Sequence, residues 1–126
     1  MRQPSSTLTT QELEIMKIVW ERERATVRDV YEALLERRKV AYTTVMTMMK
    51  ILEQKKYLKK SQLDRAYVYR PAQPQRQVIG AMVREFVNRV FNGSAEPLLV
   101  HLVEEGDLSR EDLEEIARLR KPGRAS

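Results

Sequence analysis

Thr43, Met46, Thr47, Lys50 and Gln54 share one face if residues 43–54 form a helix, where successive side chains turn by about 100°. That face carries hydroxyls, an ammonium and an amide, and no carboxylate. Threonine hydroxyls donate to phosphate oxygens, threonine methyls meet thymine methyls, and lysine neutralises a phosphate. A helix that faces only water ordinarily mixes Glu with Lys, so this face suits a groove wall of phosphates and base edges. Tyr42 and Thr44 sit beside it at the start of the same helix. Lys59, Lys60 and Arg65 follow shortly after, where they can position a nucleic-acid backbone.

Other chemistries find little support. The sequence has no Cys and one His, His101. Thiolate metal sites, disulfides, cysteine nucleophiles and multi-histidine metal centres are thereby excluded. No nucleophile–base pair, glycine-rich phosphate loop or paired-carboxylate motif stands out, so no enzyme, cofactor or metal is expected. Glu104 and Glu105 lie near His101, but an interface histidine is the simpler reading. Met48 and Met49 fall on the core face and read as gap-filling side chains. The run Glu111, Asp112, Glu114 and Glu115 reads as a solvated helix face.

The elements that must position the threonine face are legible around it. Thr9-Thr10-Gln11-Glu12 has the capping-box spacing, and Leu13, Ile15, Met16, Val19 and Trp20 then mark a helix over 10–22, with Trp20 as a core anchor. Thr26-Val27-Arg28-Asp29 is a second box. It opens a helix over 27–37, with Val27, Val30, Tyr31 and Leu34 on one face. The third helix opens in Val40–Val45 and packs through Val45, Met48, Met49 and Leu52. Tyr57–Ser61 and Ala66–Arg70 read as two short strands around a turn at Gln62–Arg65, ended by Pro71. Three helices followed by a hairpin make a winged helix-turn-helix. In that arrangement the third helix enters the major groove and the hairpin tip, led by Arg65, reaches the backbone or minor groove.

Charge is distributed to match. Residues 1–73 hold fifteen Lys/Arg and nine Asp/Glu, a net +6, and residues 74–126 hold eight and nine, a net −1. Within 37–60, Arg37, Arg38, Lys39, Lys50, Lys55, Lys56, Lys59 and Lys60 face Glu53 alone. A basic N-terminal half joined to a near-neutral C-terminal half points to a polyanion-binding domain over 1–73 and a different task for 74–126.

The second half reads as helical: a long helix over 74–91, a stop at Asn92-Gly93, a helix opening at Pro97 and ending at Gly106, and a third from the Ser109–Asp112 box. Lys121–Ser126 reads as a frayed tail. Ile79, Val83, Phe86 and Val90 form an apolar seam, widened by Val78, Met82, Val87 and Phe91. Leu98, Leu99, Leu102 and Ile116 add to it. About fifty residues bury this much apolar surface poorly by themselves. A homodimer through these helices is the economical expectation. No apolar run reaches about 18 residues, so no membrane insertion is expected. The polar N-terminus is not a secretory signal, and the lack of Cys is compatible with the cytoplasm.

Leu13–Trp20, Val40–Thr47 and Leu52–Leu58, in that order and spacing and followed by a helical tail, resemble the penicillinase-repressor family of BlaI/MecI type. The similarity runs from about Leu8 to Leu119, and mycobacterial-type members look especially similar around Ala41–Thr47. The resemblance implies a mainly α fold with a small hairpin, a winged-helix DNA-binding domain and a C-terminal helical dimerisation domain. It implies a homodimer that blocks transcription from inverted-repeat operators, with β-lactamase or related genes as targets. Its DNA contacts match Tyr42, Thr43, Thr44, Met46 and Thr47 here. It also implies a membrane metallopeptidase sensor whose signal ends in cleavage of the repressor at an Asn-Phe bond. The matching pair here is His101-Leu102, a departure from that pattern. Copper-responsive relatives carry Cys-x-Cys motifs that this chain lacks.

Two other functions are open to a winged helix. A protein-interaction module would expose apolar side chains on the third helix, and only Met46 fits. A small-molecule-responsive regulator would converge polar groups among the C-terminal helices, and few are present.

Overall fold

A computed structural model describes residues 7–119, so the expected C-terminal tail lies outside the described residues. Within them the elements run α1 (Thr10–Arg22), α2 (Val27–Leu35), α3 (Tyr42–Gln54), β1 (Leu58–Leu63), β2 (Ala66–Pro71), α4 (Gln75–Phe91), α5 (Glu96–Glu104) and α6 (Arg110–Leu119). The chain divides into two compact units between Gly80 and Ala81, inside α4.

Both expected capping boxes of the first unit form. The Thr9 hydroxyl accepts from the Glu12 N–H at 3.1 Å, and the Glu12 carboxylate accepts from the Thr9 N–H at 3.0 Å. Thr26 and Asp29 repeat the exchange at 3.0 Å each way. Each box satisfies two N–H groups that a helix start leaves without partners. Left-handed Glu23 (φ 71°) ends α1, its N–H returning to the Val19 carbonyl. α2 stops at Leu35, short of the expected 37. The N–H groups of Arg37 and Arg38 both fold back to the Leu34 carbonyl, and their side chains reach Glu14 of α1 at 3.5 and 2.7 Å.

The core is the convergence of these faces: Ile15, Met16 and Val19 of α1, Val30 and Leu34 of α2, Val45, Met49 and Leu52 of α3, and Leu58 of β1. Met48, expected with them, is half-buried, as is Trp20. The Trp20 indole N–H donates to the Gln73 carbonyl at 3.0 Å, which ties α1 to the segment after the hairpin. Beside this core lies one buried charge. Glu12 is 5% exposed and accepts the Lys55 ammonium at 2.8 and 3.1 Å. The same ammonium donates to the Thr7 carbonyl at 3.1 Å.

β1 and β2 pair antiparallel, from Leu58 opposite Pro71 to Leu63 opposite Ala66. The turn is tighter than expected: Gln62 and Leu63 belong to the strand, and only Asp64 and Arg65 link the two. Asp64 supplies the required left-handed backbone (φ 59°), which Asp tolerates better than most residues. Ala25, between α1 and α2, adds a one-residue bridge to β2. Its N–H donates to the Tyr69 carbonyl at 2.9 Å, and the Tyr69 N–H returns to the Ala25 carbonyl at 2.8 Å.

Burial pushes the Tyr69 phenol above its usual pKa of 10.0, against a smaller opposing pull from Lys60. The protonated form is therefore favoured in the folded state. Stability from this group is fully present below about pH 10 and is lost as pH rises through the folded pKa. Thermal melts are expected to show an alkaline decline that shrinks in Tyr69→Phe.

In the second unit, Asn92 (φ 54°) and Gly93 (φ 89°) end α4 as expected, and Gly106 (φ 86°) ends the turn after α5. Pro97 takes the second position of α5, one later than expected, where its missing N–H still costs no helical bond. Ser109 and Asp112 exchange the expected box bonds at 3.0 Å. Among the described residues from 81 onward, only Val87 is buried. No helix among the described residues is long and apolar enough to cross a membrane.

Candidate nucleic-acid interface

α3 separates its two faces cleanly. Val45, Met49 and Leu52 are fully enclosed, while Thr43, Thr44, Met46, Thr47, Lys50 and Gln54 are exposed. Glu53 is the one carboxylate of the helix and lies on its flank, where it reaches Lys60 at 3.8 Å. The N-cap, Ala41, offers no side-chain bond, and the first turn holds no acid. Nothing local therefore competes with an anion there, in contrast to the boxed starts of α1 and α2.

Tyr42, at the first position of α3, is braced from two sides. Its ring meets Tyr31 edge-on at 5.3 Å, and the Arg28 guanidinium lies 5.7 Å from its centroid. Tyr42 remains 37% exposed. On the hairpin, Lys59 and Arg65 are exposed, with Arg65 at the turn. Lys60 is more confined. Its ammonium sits 4.5 Å from the Tyr67 ring centre as well as near Glu53.

Between the start of α2, the outer side of α3 and the hairpin lies an open cleft of about 550 Å³. Arg28, Lys50 and Lys60 line it together with Tyr42, Tyr67 and Met46, and no carboxylate does. The structure thus brings Tyr42, Met46, Lys50 and Lys60 to one hollow. Thr43, Thr44 and Thr47 remain on the exposed surface of α3 outside it. Lys59 and Arg65 stay on the hairpin.

Sequence reasoning missed Arg28 and Tyr67. Arg28 was hidden inside a capping box, although its place just after the N-cap, one helix before the threonine face, was a usable signal. Tyr67 was absorbed into the strand pattern; its outward register follows from the buried Val68 beside it. The basic cluster over 37–60 is also less free than its count suggests. Arg37 and Arg38 pair with Glu14, Lys55 with Glu12 and Lys60 with Glu53.

His101 is exposed on α5, and among the described residues no group of three His, Asp or Glu side chains is placed to hold a metal ion.

Three helices on one core, a third helix whose exposed face carries no acid and a two-stranded hairpin beside it define a winged helix-turn-helix DNA-binding protein. The penicillinase repressor family profile matches residues 8–121, and the chain belongs to that family. It is a transcriptional repressor of the BlaI/MecI type, not an enzyme.

The chain is 38% identical to the transcriptional regulator BlaI of Mycobacterium tuberculosis over 109 residues, covering 81% of this chain and 79% of that protein. It is 27% identical to the penicillinase repressor of Bacillus licheniformis, covering 86% and 84%. The solution structure of the DNA-binding domain of the repressor BlaI superposes with a TM-score of 0.52 at 25% identity, covering 60% of this chain and 90% of that one.

Proposed function

We propose that the protein acts in the cytoplasm as a homodimer on inverted-repeat DNA operators, with α3 in the major groove and the hairpin on the adjoining backbone. The observation that carries this is the outward face of α3, which is exposed, rich in threonine and free of acid. In this reading Thr43, Thr44, Met46 and Thr47 meet base edges. Tyr42, Lys50, Lys59, Lys60 and Arg65 position phosphates. Genes of β-lactam resistance are the proposed targets, by analogy with the penicillinase and methicillin-resistance regulators among the relatives.

The dimer is supported by α4 and the two helices that follow it. Of the two apolar stripes of α4, Val78 and Val87 are buried, whereas Val83, Phe86 and Val90 are 52%, 40% and 49% exposed. Ile79 is half-buried beside them. On α5 and α6, Leu99 and Ile116 are exposed and Leu98 and Leu102 half-buried. An apolar hollow of about 330 Å³ between these two helices, walled by Leu99, Val100, Val103 and Leu113, adds to this surface. A monomer rarely leaves so many large apolar side chains in water. Two copies on a two-fold axis read two half-sites about one helical turn, or a multiple of it, apart.

In the proposed sensor pathway, cleavage at His101–Leu102 requires α5 to unwind first. The bond lies within the helix, and its carbonyl, that of His101, accepts from the Glu105 N–H at 2.9 Å.

The test is fluorescence anisotropy on the duplex just upstream of the protein's own gene, against a scrambled duplex, at two salt concentrations. Tight binding to the native duplex with two protomers per site is expected. Equal binding to both duplexes overturns operator recognition at that site. Lys50→Ala and Arg65→Ala are each expected to weaken binding to both duplexes and to flatten the log–log salt slope by about 0.9, the signature of one lost phosphate contact. Thr47→Ala is expected to lower operator affinity by roughly fivefold while leaving random DNA unchanged, because base contacts carry the sequence information. An unaltered operator affinity in that variant removes Thr47 from the reading surface.

A further inference from the structure

We propose that Arg28, at the start of α2, is a phosphate-binding residue held in reserve by Glu32, so that a DNA backbone entering the cleft must displace the carboxylate before it gains the guanidinium. The inference rests on the DNA-binding reading above and adds to it a residue and an exchange that the α3 face does not contain.

Three observations converge on Arg28. It lines the same hollow as Lys50 of α3 and Lys60 of the hairpin, so three cations from three elements face one open space without a carboxylate on its wall. Its guanidinium lies over the Tyr42 ring, 5.7 Å from the centroid, on the side of α2 that faces the start of the reading helix. A guanidinium held near a ring face by cation–π attraction still has N–H donors to offer an oxyanion. Finally, its ion pair is loose. The Glu32 carboxylate stands 3.7 Å away on the next turn of α2, and both side chains are about two-thirds exposed (66% and 61%). An exposed pair of this kind has little hold on its cation. A phosphate in the cleft competes with it directly, while the Tyr42 ring stays beside the guanidinium as its partner changes.

Lys60 repeats the pattern, with its ammonium 4.5 Å from the Tyr67 ring centre and 3.8 Å from Glu53. Lys50 differs, since no ion pair engages it among the described residues. The cleft thus holds one open cation and two that are each shared between a ring and a carboxylate. Glu32 consequently lowers DNA affinity by occupying Arg28, and its effect depends on Arg28 being present. A carboxylate that merely repelled DNA would act whether or not Arg28 were there.

The experiment uses the full chain and a mixed-sequence duplex, because phosphate contacts need no operator. Binding is followed across a salt series for the wild type, Arg28→Ala, Arg28→Lys, Glu32→Gln and the Arg28→Ala/Glu32→Gln double variant. Arg28→Ala is expected to bind about tenfold more weakly at low salt, with the slope shallower by about 0.9. Arg28→Lys restores the slope, since it keeps the charge and gives up only the guanidinium's fork of donors. Glu32→Gln tightens binding about twofold, the size expected of an exposed i,i+4 pair, and the gain disappears in the double variant.

An unchanged slope in Arg28→Ala overturns the phosphate contact, even if affinity falls through a displaced Tyr42. An equal gain from Glu32→Gln with and without Arg28 overturns the exchange. Failure of the wild type itself to bind DNA overturns the underlying reading instead, so the two failures are separable.

Discussion

Val83→Glu combined with Phe86→Glu is expected to leave the protein monomeric at micromolar concentration while the first unit stays folded. The two side chains stand out from α4 on the exposed seam, and neither contributes to the core of the winged helix. Burying a Val or Phe side chain contributes about 1.5–3 kcal/mol. A two-fold interface counts each residue twice. Placing four carboxylates there also adds repulsion and desolvation, so the association constant should collapse. Operator affinity should fall with it, by about two to four orders of magnitude, since the second half-site is no longer tethered to the first. Sedimentation reports the oligomeric state, and anisotropy on the upstream duplex reports affinity. A double variant that still sediments as a dimer would show that another surface joins the protomers.

Lys55→Met is expected to cost about 2–4 kcal/mol of stability in the first unit. The Glu12 carboxylate it serves has a side chain only 7% exposed, and Lys55 is itself 15% exposed. Removing the ammonium leaves Glu12 with the Thr9 N–H as its other hydrogen-bond donor. An enclosed carboxylate without a countercharge is costly, and the Thr7 carbonyl loses its donor as well. Glu12→Gln should cost less, because an amide oxygen can still close the capping box. The double variant should recover part of the loss, as expected when both partners of an enclosed pair are removed together. Trp20, the only tryptophan, lies in this unit and gives a fluorescence signal for its unfolding. Additive losses in the double variant would mean that the pair does not act as a unit.

The contrast between these residues shows what a sequence makes visible. Local rules were legible. Thr9 with Glu12, Thr26 with Asp29 and Ser109 with Asp112 each announce a helix start through spacing alone, and all three form. The division of α3 into Val45, Met49 and Leu52 on one side and the threonines on the other follows from helical period. The hairpin was legible in its strands but not in its turn, because only one residue, Asp64, adopts the left-handed backbone that shortens it. What spacing cannot show is pairing across the fold. Glu12 reads as a capping residue and Lys55 as one of a run of surface cations. Their meeting depends on how the start of α1 lies against the end of α3, forty-three residues apart in sequence. Arg28 escaped notice for the same reason, since its significance comes from Tyr42 and the hairpin rather than from its neighbours in α2.

The single bridge between Ala25 and Tyr69 has a consequence for which DNA the protein accepts. Two backbone hydrogen bonds fasten the middle of the hairpin to the link between the first two helices. The same helices carry the core on which α3 rests. The hairpin and α3 therefore share a common base, which restricts how far the separation between them can change. In the proposed binding mode such a base resists stretching to follow an unusually wide or narrow groove. The duplex has to meet that separation, and sequences whose groove width already matches, or whose base steps yield cheaply, bind better than others with the same contacted bases. Part of the operator's identity would then reside in base pairs that no side chain touches.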